Sequence, residues 1–382
     1  MSRARLCFVV ESGTDVRLVD GLAERFELTV IAREIPGGVE ISRTPERRFA
    51  LVTGPSSRLA FARMVRAELG ASGGRFEAVL VQGYALAALG ANLAARRTGT
   101  PTTLLVCSPV ERYYAQRREH AEPGKPYRIS EAMGIWVLAR LNARLARQYV
   151  VLSQHLQEVV AGHGGRGRIE IVPVYGVDTT VFSPDSEARD ALRARRGLPP
   201  RGSIVFFSSR VAPEKDAETL LAAVRRLRDA GRDIWLLHRS GGFQAFLDAA
   251  RAAGVSERVI ATDAVHPVKE LPQDYRASDL LVQASREEGL GFSPLEALAC
   301  GTPVVATAVG GLAETIVDGQ TGWTYPVGDA EALARCMADA LDHPAEAARR
   351  AAAGRRMVVE RYETRAAFDR LAAVLLRSTP WT

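Results

Sequence analysis

Residues 280–306 read LLVQASREEGLGFSPLEALACGTPVVA. An apolar run from Leu280 to Gln283 is followed by a glycine-containing turn, a helix start at Pro294, and a second apolar run from Pro303 to Ala306. Short apolar strands separated by a helix are typical of parallel sheets, because a parallel connection needs a crossover. The stretch therefore predicts a strand, a crossover helix and a second strand of an α/β fold.

The same alternation extends through the chain in both directions. The predicted strands are Arg5–Val10, Leu28–Ala32, Arg48–Val52, Ala78–Gln82, Thr102–Cys107, Tyr149–Leu152 and Ile169–Val172, then Ser203–Ser208, Ile234–Leu237, Arg258–Ala261, Asp279–Gln283, Pro303–Ala306 and Trp323–Tyr325. The rhythm breaks at Pro173–Pro184 and again at Leu198–Gly202. We therefore expect two doubly wound, Rossmann-like domains facing each other across a cleft, at residues 1–185 and 186–360. A C-terminal helix within residues 361–382 is expected to pack back toward the first domain.

Composition excludes several classes of protein. The chain has 382 residues, of which 47% are hydrophobic and 25% charged, as in ordinary soluble domains and unlike disordered or membrane-embedded chains. The net charge of +6 is modest and no dense basic stripe is visible, so no nucleic-acid partner is expected. The four cysteines show no C-x-x-C spacing, and Leu6–Val10 is too short for a signal-peptide core. These features favour a reduced, cytoplasmic protein.

One segment of the first half, Arg112–Arg147, combines basic and aromatic residues. Tyr113, Tyr114, Tyr127 and Trp136 stand among its arginines. The simplest interpretation is a solvated pair of helices, and the alternative is a surface for an acceptor or a membrane. That alternative would make the protein peripheral at the inner face of the membrane, held there through its N-terminal domain.

The opening stretch also carries the densest set of chemically useful residues. Glu288 precedes the turn and Glu296 lies inside the helix, so both carboxylates could face the crevice at the strand ends. Glycines allow close approach of backbone to a ligand, and the N–H groups that open a helix suit phosphate or sugar oxygens. The alternative for Glu296 is structural, since Ser293, Pro294 and Glu296 have the spacing of a capping box.

A second candidate is the loop Ser208–Lys215, which follows the first predicted strand of the second domain. Lys215 is one of only three lysines in the chain. Arg210 and Lys215 could converge on a pyrophosphate, where cations neutralise the charge of a leaving group. The alternative is a solvated loop in which Lys215 pairs with Glu214 or Glu218.

Other signals are weaker. A Gly310-Gly311 turn precedes a predicted helix, and Glu11–Asp15 follows the first strand without a G-x-G-x-x-G pattern. The histidines show no H-E-x-x-H or other ligand spacing, so no protein metal site is expected, and a G-x-S-x-G nucleophile turn is absent.

Taken in order, the motifs resemble those of the retaining glycosyltransferases of family 4, also called glycosyl transferase group 1, which have the GT-B fold. Glu288–Glu296 matches the family's E-x7-E element, and Ala297–Ala306 reads like its usual continuation. Ser208–Lys215 is similar to the arginine and glutamate-lysine loop, Val309–Gly322 to the G-G-x-x-E…G-x-T-G stretch, and Ile171–Pro184 to the interdomain segment.

The resemblance implies a nucleotide-diphosphate sugar as donor, of UDP or GDP type, with no metal and no further cofactor. It implies that Arg210 and Lys215 hold the donor diphosphate, that Glu296 binds the ribose, and that Glu288 contacts the donor sugar. The remaining implied donor contacts are Gly289, Leu290, Gly291, Phe292 and Ser293 through their backbone, Val265 at the base, and Gly13 from the opposite domain.

The sequence departs from the family at three places. Gly13-Thr14 stands where Gly-Gly is common, and Cys107-Ser108-Pro109 stands where a histidine often touches the donor sugar. Ser108 could supply a shorter hydrogen bond there, or Glu111 could replace it. His238–Gly242 also departs from a plain glycine turn.

The implied reaction is transfer of a sugar to an acceptor hydroxyl with retention of the anomeric configuration. The acceptor could be a lipid-linked glycan, a cell-surface polysaccharide precursor or a small natural product. Three rivals stay open: a glycoside hydrolase using Glu288 and Glu296 as its carboxylate pair, a GT-B epimerase or phosphorylase, and a non-catalytic nucleotide-sugar sensor.

Overall fold

Strands and helices alternate throughout the residues that the computed structural model describes, which are 3–35, 49–120, 126–185, 189–263 and 268–377. Over these residues the chain divides into two units. The first unit comprises Met1–Tyr114, Tyr127–Gly176 and Thr364–Thr382, and the second comprises Ala115–Pro126 and Val177–Glu363. The main chain leaves the first unit at Gly176, inside the stretch Pro173–Pro184 where the sequence rhythm breaks, and returns to it at Thr364.

Each unit contains one parallel sheet. The strands are β1 (Arg5–Val10), β2 (Glu27–Arg33), β3 (Phe49–Gly54), β4 (Ala78–Gln82), β5 (Thr102–Val106), β6 (Gln148–Val151), β7 (Arg168–Ile171), β8 (Ser203–Phe207), β9 (Ile234–Arg239), β10 (Val259–Thr262), β11 (Leu280–Gln283), β12 (Val304–Thr307) and β13 (Trp323–Tyr325). Their order is β3-β2-β1-β4-β5-β6-β7 in the first sheet and β10-β9-β8-β11-β12-β13 in the second. Every predicted strand overlaps one of these, so the predicted α/β class is confirmed.

Helices cover the sheets. They are α1 (Val16–Arg25), α2 (Arg58–Ala71), α3 (Leu86–Thr98), α4 (Val110–Glu119), α5 (Ile129–Leu145), α6 (Gln154–Ala161), α7 (Arg189–Arg195), α8 (Ala217–Asp229), α9 (Phe243–Ala252), α10 (Leu271–Ala277), α11 (Phe292–Ala299), α12 (Leu312–Thr315), α13 (Ala330–Asp342), α14 (Pro344–Arg361) and α15 (Thr364–Leu376). Among the described residues, no helix is both long enough and apolar enough to cross a membrane.

The central strands β8, β11 and β12 are almost entirely buried, as expected when helices cover both faces of a parallel sheet. In β8, Val205, Phe206 and Phe207 are fully buried, although neighbouring side chains of a strand point to opposite faces. Leu280 and Val282 of β11 and Leu220 and Val224 of α8 belong to one buried cluster of the second unit. This core holds the carboxyl ends of β8 and β11 in fixed positions.

The order of the second sheet reverses between β8 and β11, which are neighbours although they are far apart in the sequence. At such a switch point the following loops run in opposite directions and leave a crevice beyond the strand ends. The loop after β8 contains Arg210 and Lys215, and the loop after β11 contains Glu288. The topology therefore brings the two strongest sequence motifs to the same edge of the sheet.

Candidate active site

Two glycine turns pack against each other at the carboxyl edge of the second sheet. Gly291 has a φ of +88°, and a side chain there would overlap Leu312. A side chain at Gly311 would overlap the backbone carbonyl of Gly289, while the Gly311 N–H donates to the Glu288 carbonyl at 3.0 Å. The absence of side chains lets the two backbones touch, and this contact fixes the main chain between Glu288 and the start of α11.

Glu288 forms an ion pair with Lys215. The Nζ atom of Lys215 lies 2.5 Å from Oε2 of Glu288, and the two side chains are 12% and 11% exposed. The same carboxylate oxygen accepts hydrogen bonds from Ser285 Oγ at 3.0 Å and Gln283 Nε2 at 3.3 Å. The alternative in which Lys215 lies in a solvated loop is therefore wrong.

The second cation of the loop is more accessible. The side chain of Arg210 is 56% exposed and pairs with Glu214, whose own side chain is 7% exposed. The loop ends at Asp216, which adopts a φ of +49°, caps α8 through the N–H of Thr219, and pairs with Arg286 at 2.8 Å. The backbone N–H of Arg286 also donates to the Glu214 carbonyl at 2.8 Å. The loops after β8 and β11 are thus linked by two contacts that do not involve Glu288, one from the side chain and one from the backbone of Arg286.

Glu296 is buried inside the second unit rather than placed at a helix cap. Its Oε2 accepts a hydrogen bond from the Tyr275 hydroxyl at 2.9 Å, and that hydroxyl lies 3.4 Å from Ser208 Oγ. Burial and the adjacent charge of Glu296 raise the pKa of Tyr275 well above its usual value. The hydroxyl therefore stays protonated and can donate to Glu296.

The capping-box alternative for Glu296 and Ser293 is wrong. Helix α11 begins at Phe292 with Gly291 as its N-cap, and no side chain caps it. Ser293 lies within the first turn and its Oγ donates to the Ser208 carbonyl at 2.9 Å. This bond ties the first turn of α11 to the loop after β8, so the N–H groups that open the helix lie beside that loop.

Tyr275 is the residue of this arrangement that the sequence analysis missed. It lies on α10 and is fully buried. Its partner Glu296 is 21 positions further along the chain, and no spacing pattern marks such a pair. An aromatic residue shortly before a predicted strand usually belongs to the hydrophobic core, so the sequence did not indicate a role for the hydroxyl group of Tyr275.

Three further residues were predicted to contact the donor, and the structure describes two of them. Gly13 and Ser108 belong to the first unit. Gly13 follows β1 and its carbonyl accepts a hydrogen bond from Gln82 Nε2 at 3.2 Å, while Ser108 follows β5 and its carbonyl accepts from the Val110 N–H at 3.0 Å. Val265 lies outside the described residues. The expected contacts of these three residues with a donor stay predictions.

Glu111, the predicted substitute for the missing histidine, belongs to a polar cluster of the first unit. Its Oε1 lies 2.5 Å from His163 Nε2, and its Oε2 accepts from the Tyr84 hydroxyl. Burial raises the pKa of Glu111, but the hydrogen bonds from His163 and Tyr84 outweigh it, and the pKa is lowered overall. Glu111 is therefore an ionised carboxylate that is held by two hydrogen-bond partners. The part played by His163 was not predicted, because the histidines show no metal-ligand spacing in the sequence.

His238 departs from the family pattern for a structural reason. Its ring is fully buried and stacks on Phe246 with a centroid distance of 4.1 Å and on Phe207 at 5.6 Å. Its Nδ1 lies 3.0 Å from the Phe207 carbonyl. Burial lowers the pKa of His238 to about 4, so the ring is a neutral part of the core.

The second unit thus combines two cations, two buried carboxylates and a helix N-terminus at a topological switch point. Cations and helix-opening N–H groups suit phosphate oxygens, and carboxylates suit the hydroxyl groups of a sugar or a ribose. Among the described residues, no group of three histidine, cysteine or acidic side chains is arranged to hold a metal ion.

Two known families match the chain along its length. Residues 16–181 match Glycosyltransferase Family 4, and residues 188–357 match Glycosyl transferases group 1. The 2-deoxystreptamine glucosyltransferase of Streptomyces kanamyceticus is 32% identical over 303 residues, which cover 75% of this chain and 74% of that protein. The chain therefore belongs to the group 1, or family 4, glycosyltransferases.

Other relatives match over a shorter part. The GDP-mannose-dependent alpha-(1-6)-phosphatidylinositol monomannoside mannosyltransferase of Mycolicibacterium smegmatis is 36% identical over 52% of this chain and 54% of its own length. The D-inositol 3-phosphate glycosyltransferase of Nocardia farcinica is 36% identical over 53% of this chain and 46% of its own length. The matches thus span about half the length of these two relatives.

Solved structures share the fold. The HepE protein of Anabaena, solved with UDP and glucose, has a TM-score of 0.78 at 17% identity, with 98% of this chain and 99% of that chain covered. The sucrose-phosphate synthase of Thermosynechococcus elongatus has a TM-score of 0.80 at 20% identity, with 97% and 98% covered. These likenesses confirm the predicted GT-B fold.

Proposed function

We propose that the protein transfers a sugar from a nucleotide-diphosphate sugar to an acceptor hydroxyl, with retention of the anomeric configuration and without a metal ion. The observation that carries this proposal is the buried Lys215–Glu288 pair at the switch point of the second sheet. An ammonium group suits the diphosphate of the donor, and a carboxylate beside it suits the hydroxyls of the donor sugar. Family membership supports the same reaction class.

The diphosphate would be held by Arg210 and Lys215 together with the N–H groups that open α11. Lys215 is already held in position by Glu288. The side chain of Arg210 is more than half exposed and pairs with one carboxylate oxygen of Glu214. As the bond between the anomeric carbon and the diphosphate breaks, negative charge develops on the phosphate oxygens. Preorganised cations stabilise that charge, and losing one such contact typically costs on the order of 3 kcal/mol of barrier.

The two glutamates would bind hydroxyl groups of the nucleoside and of the donor sugar. Glu296 would accept hydrogen bonds from the ribose hydroxyls, with Tyr275 holding its carboxylate in position at 2.9 Å. Glu288 would contact the donor sugar, with Ser285 and Gln283 fixing the carboxylate. The backbone from Gly289 to Ser293 would lie against the sugar and phosphates.

Retention would follow from a front-face reaction. The acceptor hydroxyl approaches the anomeric carbon on the side that the diphosphate leaves, its proton passes to a leaving phosphate oxygen, and the new glycosidic bond forms on that same side. No enzyme nucleophile is needed in this route. Excluding water would prevent hydrolysis of the donor.

The relatives support a choice of donor and acceptor classes. HepE has been solved with UDP and with UDP-glucose, and the mycobacterial relative is named as GDP-mannose-dependent. The named acceptors of three relatives are a phosphatidylinositol mannoside, D-inositol 3-phosphate and 2-deoxystreptamine. We therefore propose a UDP- or GDP-linked hexose as donor and a glycan, a lipid-linked glycan or a small polyol as acceptor.

A thermal-shift panel of nucleotides and nucleotide sugars tests the proposal, because a ligand that binds the folded state raises the melting temperature by mass action. We expect one nucleoside diphosphate and its sugar to stabilise the wild type, and Lys215→Ala to lose most of that shift. Lys269→Ala removes an exposed lysine of the same unit and is the matched control. The selected donor is then incubated with the three acceptor types, and the anomeric configuration of the product is determined by NMR.

Each rival function predicts a different result. Epimerised donor formed without any acceptor would indicate an epimerase, and release of sugar from glycosides without nucleotide binding would indicate a hydrolase. Nucleotide-sugar binding with turnover of no acceptor, and unchanged biological activity in Glu288→Gln, would indicate a sensor. Inversion of the anomeric configuration would refute the front-face route alone.

A further inference from the structure

Helix α5 of the first unit presents an apolar face to solvent. Ile129, Met133 and Trp136 are 72%, 60% and 53% exposed, and Val137 and Leu141 are 39% and 38% exposed. Their spacing along the helix places them in one continuous stripe, which we call the α5 stripe. At 1.5 Å per residue the stripe is about 18 Å long. A helix on a soluble protein normally presents polar residues on this side.

The opposite face of α5 is firmly held by its own unit. Ala139, Asn142 and Ala143 are buried there. The Asn142 Nδ2 group donates to the Tyr84 carbonyl at 2.8 Å, and Asn142 Oδ1 accepts from Asn92 Nδ2 at 2.9 Å. Since the inward face is fixed by small side chains and amides, the apolar stripe does not belong to the core of this unit.

The charges around the stripe are positive. Arg140 stacks over the Trp136 ring, with its guanidinium carbon 3.8 Å from the ring centroid, and Arg144 is exposed one turn further on. Arg128 and Arg147 are exposed just before and just after the helix. The one acidic residue of α5, Glu131, accepts a hydrogen bond from the Tyr114 hydroxyl at 2.9 Å.

We propose that the α5 stripe docks on the surface of an anionic lipid bilayer. Apolar side chains with a tryptophan insert at the boundary between headgroups and acyl chains, while arginines extend their charged ends to the headgroups. Charge complementarity selects this occupant over a second copy of the chain, because two copies facing through this helix would bring their arginines together. The proposal goes beyond glycosyl transfer and does not depend on it.

Vesicle flotation of the full chain tests the proposal. Vesicles of phosphatidylcholine alone are compared with vesicles of phosphatidylcholine and phosphatidylglycerol in equal parts. We expect binding to the anionic vesicles and little binding to the neutral ones. The double substitution Met133→Ser with Trp136→Ser is expected to weaken partitioning about tenfold or more. Arg140→Gln with Arg144→Gln is expected to weaken it and to reduce its dependence on salt.

Two controls separate docking from general effects. Leu59→Ser removes an apolar residue of α2 that is 51% exposed and should leave flotation unchanged. Trp136→Phe should still bind but should lose the blue shift of tryptophan emission that the wild type shows on anionic vesicles. Melting curves without vesicles confirm that each variant is folded.

Three results would overturn the proposal. One is a folded wild type that floats with neither vesicle, and another is a serine double variant that floats as well as the wild type. The third is a dimer, seen by sedimentation velocity without lipid, that the same double substitution dissociates, because a second copy would then cover the stripe.

Discussion

The Nζ atom of Lys215 lies 2.5 Å from Oε2 of Glu288, and both side chains are almost fully shielded from solvent. The two residues are 73 positions apart and reach each other because β8 and β11 are neighbours in the sheet. An isolated charge at such a site would be costly, and each residue supplies the opposite charge beside the other. The pair therefore links the stability of the second unit to the chemistry proposed for it.

The contrast between Lys215 and Arg210 gives the first prediction. Lys215→Ala should destabilise the protein by about 3 kcal/mol, because it leaves the Glu288 carboxylate buried without its cation. Arg210→Ala should cost less, about 1–2 kcal/mol, because the arginine side chain is mostly exposed, although the buried carboxylate of Glu214 loses this partner. Both should reduce turnover about a hundredfold if both hold the diphosphate.

Urea unfolding and steady-state kinetics with the donor from the thermal-shift panel check this contrast. Lys269→Ala should change neither quantity. Wild-type turnover in both alanine variants would remove the diphosphate role, whereas equal stability of Lys215→Ala and the wild type would show that the ion pair contributes little to folding.

Tyr275 gives the second prediction. Tyr275→Phe removes the hydroxyl that donates to Glu296 at 2.9 Å but keeps the buried ring. A hydrogen bond to a charged group is worth about 1.5–3 kcal/mol, so donor affinity should fall at least about tenfold if the bond orients Glu296 for the ribose. The effect should appear in the Kd of the nucleoside diphosphate more than in kcat at saturating donor, and isothermal titration calorimetry measures it.

Phe206→Leu is a useful companion to Tyr275→Phe, because Phe206 packs against the Tyr275 ring with a centroid distance of 5.2 Å but has no polar atom. It should lower the melting temperature and leave the Kd nearly unchanged in the folded protein. Unaltered nucleotide affinity in Tyr275→Phe would show that the hydroxyl serves folding alone.

The sequence was sufficient for the strands and for the loops that follow β8 and β11, because these depend on local patterns. Apolar runs such as Ser203–Phe207 bury both faces and are visible without a structure. Partners were not predictable: the pairing of Lys215 with Glu288 depends on strand order, and that of Glu296 with Tyr275 depends on the packing of α10 beside α11. The capping-box alternative failed because Gly291 adopts a positive φ and α11 starts earlier than Pro294.

The segment Arg112–Arg147 illustrates the same limit. Its composition favoured a solvated pair of helices, with a membrane surface as the alternative. Only the position of Asn142 on the buried side of α5 shows that Met133 and Trp136 point away from the unit. The direction in which a helix face points depends on packing, and the sequence of a helix with apolar residues on much of its surface does not reveal it.

His238 gives a prediction about pH. Burial lowers its pKa to about 4 in the folded protein, against an ordinary value of 6.5. Between these values the unfolded chain binds a proton that the folded chain does not, so stability falls as the pH is lowered from about 6.5 to about 4. The shift in the pKa of His238 corresponds to about 3 kcal/mol of unfolding free energy. This stability is fully present above pH 6.5 and is lost as the pH falls through about 4.

His238→Phe should flatten the pH dependence of unfolding in this window, at the cost of the bond to the Phe207 carbonyl. Leu237→Val, a change at a buried neighbour that has no titratable group, should lower the stability but leave the slope unaltered. Chemical unfolding at a series of pH values from 7 to 4 measures both variants. The same slope in His238→Phe and in the wild type would show that other groups produce the acid sensitivity.

The contact between the glycine turns gives the last prediction. Gly311→Ala places a methyl group against the Gly289 carbonyl, and a backbone atom cannot rotate away as a side chain can. The substitution should cost about 1–3 kcal/mol of stability. It should also reduce turnover, because relief of the clash moves the main chain that joins Glu288 to α11.

Gly70→Ala is the matched control, since a side chain at this helical position of α2 meets open space, and it should stabilise the protein by about 0.5–1 kcal/mol. Melting temperatures and kcat of the two variants decide the matter: if Gly311→Ala were as stable and active as Gly70→Ala, the close approach of the two turns would not be a requirement of the site.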